Sequence, residues 1–439
     1  MIVRFSDLMT APHVVKPGDT IVMTPGTYRG DYTINVSGGS AAPVTIRAEL
    51  LGTAIVDGSF DIQGGGYVVI DGIEFTRTDW TTRTFALAQS TPPNINVGAA
   101  HIAIRNCVIH DGNQCMTAFE GRLVELYGCL LYNGGVISGG SGHGHTLYTH
   151  NNPGIPVLIE NNIWLGSFNY GFHAHSSGQN YIKNYTVQDN IFGKCNHKHC
   201  FGNDASLDYA VQDIVFADNE CMDTYWWFNR WSNRAKNIAV TGNYFVGYGD
   251  YSSLDMGCCS FKVYDTIVCT GNTFANNGRL MRVKPGTQPD YTFANNAYYG
   301  PDVAGAFVGA DDANLDFAGW QTQFGDTGSS IAAYPPPDRV RVIPNIYDAG
   351  RCHVAVYNYS QADSIMVDVS GVYQAGDVVR VRNAQDYHGD IQTVTVDANG
   401  RIAIDMRADV HSVALPIGHD QPIDPMMQPT YGAYVVERA

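Results

Sequence analysis

IENNIW, residues 159–164, returns as VQDNIF (187–192), FADNEC (216–221), VTGNYF (240–245), CTGNTF (269–274) and FANNAY (293–298). Two looser copies precede it, IRNCVI (104–109) and LYGCLL (126–131). Each copy is an apolar run, a polar pair and a second apolar run, and its fourth position is held in turn by Cys107, Cys129, Asn162, Asn190, Asn219, Asn243, Asn272 and Asn296. Successive copies lie 22 to 33 residues apart. A repeat of this length with β-type alternation and no helical pattern marks a parallel β-solenoid in which each period is one coil. Recurrent Asn suits the turns, because its amide can bond to its copy about 4.8 Å above and its backbone tolerates the left-handed region. Cys107 and Cys129 are expected to stack in the interior at the same position. The longest period carries a glycine-rich insertion, GGVISGGSGHGH (134–145).

Composition agrees with an all-β chain. Of 439 residues, 47 are Gly and 26 Tyr, and only 15 % are charged, whereas helix-rich proteins need Ala, Leu, Glu and Lys at helical spacing. The net charge of −16 argues against a nucleic-acid or anionic-membrane surface, which requires clustered Lys and Arg. No run reaches the roughly 18 apolar residues that span a bilayer, so no membrane insertion is expected. The opening MIVRFSDLMTAPHVV lacks a signal-peptide pattern, so either export is not encoded here or a leader has been removed. Ten cysteines in a chain this long, with no paired CxxC, make neither a disulfide scaffold nor a zinc knuckle.

PGDTIVMTPGTYRG (17–30), VDGSFDIQGGGYVVIDGIEF (56–75) and the repeated xNN or xGN turns resemble the right-handed parallel β-helix proteins that include pectate, alginate and chondroitin lyases and tailspike depolymerases. The resemblance covers about residues 10 to 300. It implies an extracellular or periplasmic enzyme, or a phage-associated one, acting on a polysaccharide. After Gly300 the period is lost. Residues 301–340, ending in YPPPDR, read as a connection, and 341–439 alternate apolar and polar residues between turn signals. The expected architecture is a β-helix over 1–300, a connecting segment over 301–340, and a C-terminal antiparallel β-sandwich over 341–439, similar to the accessory sandwich of several carbohydrate-active enzymes.

On a parallel β-helix, residues two apart on a strand share a face and equivalent residues of adjacent coils lie about 4.8 Å apart, so outward side chains form a grid. In HTLYTHNN (145–152), Leu147 and Thr149 should point inward and Tyr148 and His150 outward. In YGFHAHSS (170–177), Phe172 and Ala174 point inward and His173 and His175 outward, which sets Tyr148 over His173 and His150 over His175. HKHCFGND (197–204) has His197 and His199 outward only if Lys198 and Cys200 face in, and a buried lysine is costly. YWWFNRWSNR (225–234) then supplies Trp226, Trp227, Arg230 and Trp231, followed by Lys262 and the Arg279, Arg282 and Lys284 of RLMRVK.

This grid suits a glycan groove, with aromatic rings stacking on sugars and Arg pairing with uronate carboxylates. β-Elimination needs a carboxylate neutraliser, a base for the C5 proton and an acid for the leaving oxygen. Tyr148, His150, His173, His175, His199 and Arg230 are the expected catalytic set. His143, His145, His197, Trp226, Trp227, Trp231, Lys262 and Arg282 are expected to bind substrate. The same HxH pairs permit a divalent metal, Ca or Zn, held by His150, His173, His175 and His199. Two other classes stay open. A glycoside hydrolase would draw on Glu120, Asp204, Asp208, Asp223 or Asp255, with Asp111 and Asp189 in turns, although no paired-Asp signature occurs on adjacent strands. A glycan-binding or tail-fibre-like structural protein would stack the same histidines as an inert ladder.

Overall fold

The computed structural model describes residues 2–5, 15–88, 91–137, 144–151, 155–176, 180–196, 198–203, 209–229, 235–248, 257–262, 265–284, 290–309 and 312–439. Their backbone winds into a parallel β-helix of three twelve-stranded sheets. One coil shows the plan: Val157–Glu160 lies in the first sheet, Ile163–Ser167 in the second and Phe172–Ser176 in the third. Each pairs in parallel with its counterpart one coil on, Ile182–Gln188, Ile191–Phe192 and His199–Asn203.

The sequence repeat forms the corner between the first and second sheets. The third residue of every copy has a positive φ, and those positions hold Asn106, Gly128, Asn161, Asp189, Asp218, Gly242, Gly271 and Asn295. Asn, Asp and Gly are the residues for which this left-handed conformation costs least. The fourth residue makes the expected amide-to-amide bonds between coils but leaves the left-handed backbone to the residue before it. It turns inward, and its side chain is buried. Asn190 donates both its backbone N–H and its side-chain Nδ2 to Oδ1 of Asn219, each at 3.0 Å. Asn219 does the same to Asn243, Asn243 to Asn272, and Asn272 to Asn296. Each Nδ2 also reaches a carbonyl one coil back, as Asn219 reaches Val187 O at 2.9 Å. The buried amides are thereby satisfied, which a low-dielectric interior demands. Upstream, Cys107 and Cys129 occupy the same stack, the Cys107 N–H lying 3.4 Å from Cys129 Sγ. All ten cysteines are buried, and none forms a disulfide.

Apolar columns fill the rest of the coil: Phe201, Phe228 and Phe261 stack in one, Phe216, Phe245, Phe274 and Tyr298 in another. Beyond Gly300, Phe307–Val308 still joins the third sheet and Ser330–Ala332 the second. Between them helix α1, Phe317–Phe324, is capped by Asp316 and sets Trp320 against Phe293 and Phe307, which closes that end of the core.

The C-terminal residues form a five-stranded antiparallel sheet, Arg339–Pro344, Arg351–Tyr357, Tyr431–Arg438, Val378–Asn383 and Ile391–Thr395, faced by the two-stranded Ser364–Asp368 and Arg401–Asp405. This sandwich packs on the outward face of the second sheet, where Leu130, Tyr132, Ile163 and Leu165 share one apolar cluster with Ile343, Tyr357, Tyr387 and Val435. Arg339 pairs with the buried Glu220 at 2.7 Å. The third sheet's outward face is on another side of the coil. Among the described residues no helix is long and apolar enough to cross a membrane.

Candidate active site

The third sheet carries the histidine pairs, and its register is continuous from coil to coil. One outward column runs Asp61, Asn96, Thr117, Tyr148, His173, Cys200, Trp227, Ser260, Arg282. The lower end is polar and closed on itself: Asn96 Nδ2 donates to Asp61 at 2.8 Å and Thr117 Oγ1 to Asn96 Oδ1 at 2.8 Å. These residues belong to the same face as the histidines, but no local motif flags them. Only the register does.

Tyr148 lies over His173 as the alternation predicts, with ring centroids 5.3 Å apart and planes 19° from parallel. Tyr170 stacks on the imidazole at 4.3 Å, so two phenol rings flank it. His145 completes the group, its Nε2 lying 3.2 Å from His173 Nδ1, so that the two rings share one N–H between them. His175 follows on the same strand at 4.8 Å from His173. Its ring has room because the next row holds Gly202, where a Cβ would come within 2.9 Å of His175 Cδ2. The group is largely shielded from solvent, with His145, His173 and His175 at 2, 4 and 8 % exposure. A phenol and three imidazoles in contact form an acid and base set.

Three expectations are corrected. His199 faces the interior, in register with the core residue Trp226, on which its ring stacks at 5.0 Å. Its Nδ1 accepts from Phe172 N–H at 3.0 Å and its Nε2 bonds Gly193 O at 3.0 Å. Burial lowers its pKa to about 4, so it stays neutral. The parity is reversed because a neutral, hydrogen-bonded imidazole can be buried, while the ammonium of Lys198 cannot be left unpaired inside. Lys198 points outward instead, its Nζ 3.1 Å from the centre of the Trp227 ring. Trp226 likewise fills the coil, against Phe192 and Phe216, and is not a sugar platform. His150 leaves the ladder: its ring stacks on Phe119 at 4.6 Å, Asn180 Nδ2 is 3.4 Å from its Nε2, and burial lowers its pKa to about 4. His150, His173, His175 and His199 therefore do not converge on one ion. The nitrogen-rich donors around His173 also do not suit Ca, which takes six to eight oxygens.

Trp227 and Arg282 occupy the outward column as expected, and Lys262 shares the outward parity of Ser260 on Cys259–Lys262. Arg282 is largely buried and pairs with Asp312 at 2.9 Å. His143, His197, Arg230 and Trp231 lie outside the described residues, as do Asp204, Asp208 and Asp255. The other two carboxylates considered for hydrolysis are engaged elsewhere, Glu120 with Arg122 at 3.0 Å and Asp223 with Lys194 at 3.2 Å. A separate set of metal-ligating groups, Glu74, His110 and His388, has its ligand atoms within 4.8 Å of one another under the sandwich, away from this face.

A family model described as chondroitinase B matches residues 4–275. Among solved structures the chain is similar to a mannuronic acid specific polysaccharide family 6 lyase from human gut microbiota, at 14 % identity over 76 % of this chain and 91 % of the other, with a TM-score of 0.40. It is similar to the PL6 family polysaccharide lyase of Pseudopedobacter saltans at 11 % identity over 76 % and 92 %, with a TM-score of 0.43. A third is the tailspike protein of Acinetobacter baumannii bacteriophage Fri1, a capsular polysaccharide depolymerase, at 8 % identity over 99 % and 85 %, TM-score 0.38. No curated protein matches significantly. The family match spans more than half of the chain, and the chain belongs to the chondroitinase B family of polysaccharide lyases.

Proposed function

We propose that the chain cleaves a uronate-containing polysaccharide by β-elimination on the outward face of the third sheet, with the glycan lying across the strands. The observation that supports this reading is the single register column that joins Tyr148 and His173 to Trp227 and Arg282. Removal of the C5 proton leaves negative charge that spreads onto the uronate carboxylate, so a cation must touch that carboxylate while a base reaches the proton. Arg282 stands four strand spacings from His173, roughly 19 Å. One uronate cannot engage both.

The charge distribution favours the far end as the reaction centre. Arg282 exchanges Asp312 for the uronate carboxylate. Lys262 on the preceding strand, in its neutral form, takes the C5 proton and passes it to the departing glycosidic oxygen, and Trp227 stacks on a flanking sugar. Tyr148, His173 and His175, with His145, then bind a more distant part of the same chain. A second reading rests on the contact between Tyr148 and His173: the phenol protonates the leaving oxygen, His173 or His175 is the base, and the cation comes from Arg230 or a divalent ion. Polysaccharides do not cross membranes unaided, so the site of action is proposed to be extracellular, periplasmic or on a phage particle.

The readings separate in one experiment on uronate polymers, following the ultraviolet absorbance of the unsaturated product. Under the first, Lys262→Ala and Arg282→Ala abolish turnover, while Tyr148→Phe and His175→Ala mainly raise KM, by about 10- to 100-fold. The reverse pattern transfers the chemistry to the imidazole end. Reducing ends without unsaturated product would mean hydrolysis and would defeat both.

A further inference from the structure

Glu74 and His110 project from the outward face of the second sheet, on Glu74–Thr76 and Val108–His110, and His388 comes down on them from the sandwich. Glu74 Oε1 is 3.2 Å from His110 Nε2 and 3.4 Å from His388 Nε2. A tetrahedral ion with bonds of about 2.0 to 2.1 Å sets its ligand atoms about 3.4 Å apart, so both separations already match a coordination edge. We propose that Glu74, His110 and His388 bind a zinc-type divalent ion that ties the sandwich to the β-helix.

The surroundings are those of a built site. His110 Nδ1 is 2.7 Å from Asp111 Oδ2, which orients the ring and turns Nε2 toward Glu74. Tyr132 stacks on the same ring at 4.6 Å and 4°. Asp111 is itself held by Arg83 and, at 2.8 Å, by the Ile417 N–H of the C-terminal region. The second carboxylate oxygen of Glu74, on a residue 5 % exposed, is buried with no hydrogen-bond partner, an acceptor with unused capacity inside the cluster. His388 is half exposed, which leaves one side open for water as a fourth ligand. Two imidazoles and one carboxylate select zinc-like ions over calcium or magnesium.

The test uses the full chain, stripped with a chelator and titrated with ZnCl2 by calorimetry, with thermal unfolding and the visible spectrum of a Co(II)-loaded sample as second readouts. The expected results are one tight site per chain, a higher unfolding temperature with zinc, and tetrahedral Co(II) bands. His388→Ala, and independently His388→Asn, should weaken zinc binding about 100-fold or more with the fold intact. His175→Ala should bind zinc as wild type does, which separates this site from the imidazoles of the groove. The proposal is overturned if zinc does not bind, if it binds equally to both His388 variants, or if His175→Ala is the variant that loses it.

Discussion

At the scale of single residues, His199 shows how one imidazole in a row of similar ones acquires a different role. It is one half of an HxH pair in the sequence, yet it is enclosed by Trp226 and Phe192 and bonded at both nitrogens. Space for it exists because residue 171 is glycine: a Cβ there would lie 2.3 Å from His199 Cε1. His199→Ala should therefore destabilise the chain by about 3 kcal/mol or more, from lost packing and an unsatisfied Phe172 N–H. Denaturant unfolding measures this, and an unchanged midpoint with lost turnover would return His199 to the reaction. HKHC could not be read from the sequence because alternation fixes only that neighbours differ in direction, and either parity buries something polar.

At the scale of the element, the Asn ladder is the feature most fully written in the sequence. Its spacing identified the coil, while the division of labour at the corner came from the structure: the residue before each ladder Asn takes the left-handed backbone, and the Asn itself turns inward. Asn219 Oδ1 accepts two bonds from Asn190, and its Nδ2 donates to Asn243 and to Val187 O. Asn219→Ala strands the buried backbone N–H of Asn190 at about 1 to 3 kcal/mol. It also removes the bonds made by the Asn219 amide itself and leaves a cavity, while Asn190 Nδ2 keeps Ile159 O and Gln188 O at 2.9 Å each. The expected loss is about 3 kcal/mol or more in denaturant unfolding. A loss below about 1 kcal/mol would show that the neighbouring coils relax to re-pair that N–H and fill the space.

At the scale of the whole molecule, the sandwich covers apolar and charged groups of the second sheet that would otherwise meet water. Asp424 lies buried at this junction, and burial pushes its pKa up to about 8 despite the charge of Lys194. An unfolded Asp titrates near 4. Because the folded value is the higher one, the protonated form is favoured on folding, and that contribution is complete below about pH 4 and lost as pH rises through about 8. Asp424→Asn removes this dependence. Relative to wild type the variant should gain stability steadily from about pH 5 to pH 8, and parallel stability–pH curves for the two proteins would refute the assignment.

The sequence alone determined the coil, because a repeat that stacks on itself must place the same residue types at the same corner: Asn, Asp or Gly where φ is positive, and Asn or Cys where the side chain enters the core. It also determined the overlay of Tyr148 on His173, since strict alternation on two aligned strands leaves one register that buries the apolar residues. The direction of His199 and Trp226 was decided by tertiary structure, through the space that Gly171 leaves and the rings that fill the coil. So was the separation of Arg282 from His173, which depends on how many strands of unequal spacing lie between them. The meeting of His388 with Glu74 and His110 was decided there too, because it requires the sandwich to dock on one chosen sheet, and no local pattern encodes a contact between surfaces so distant along the chain.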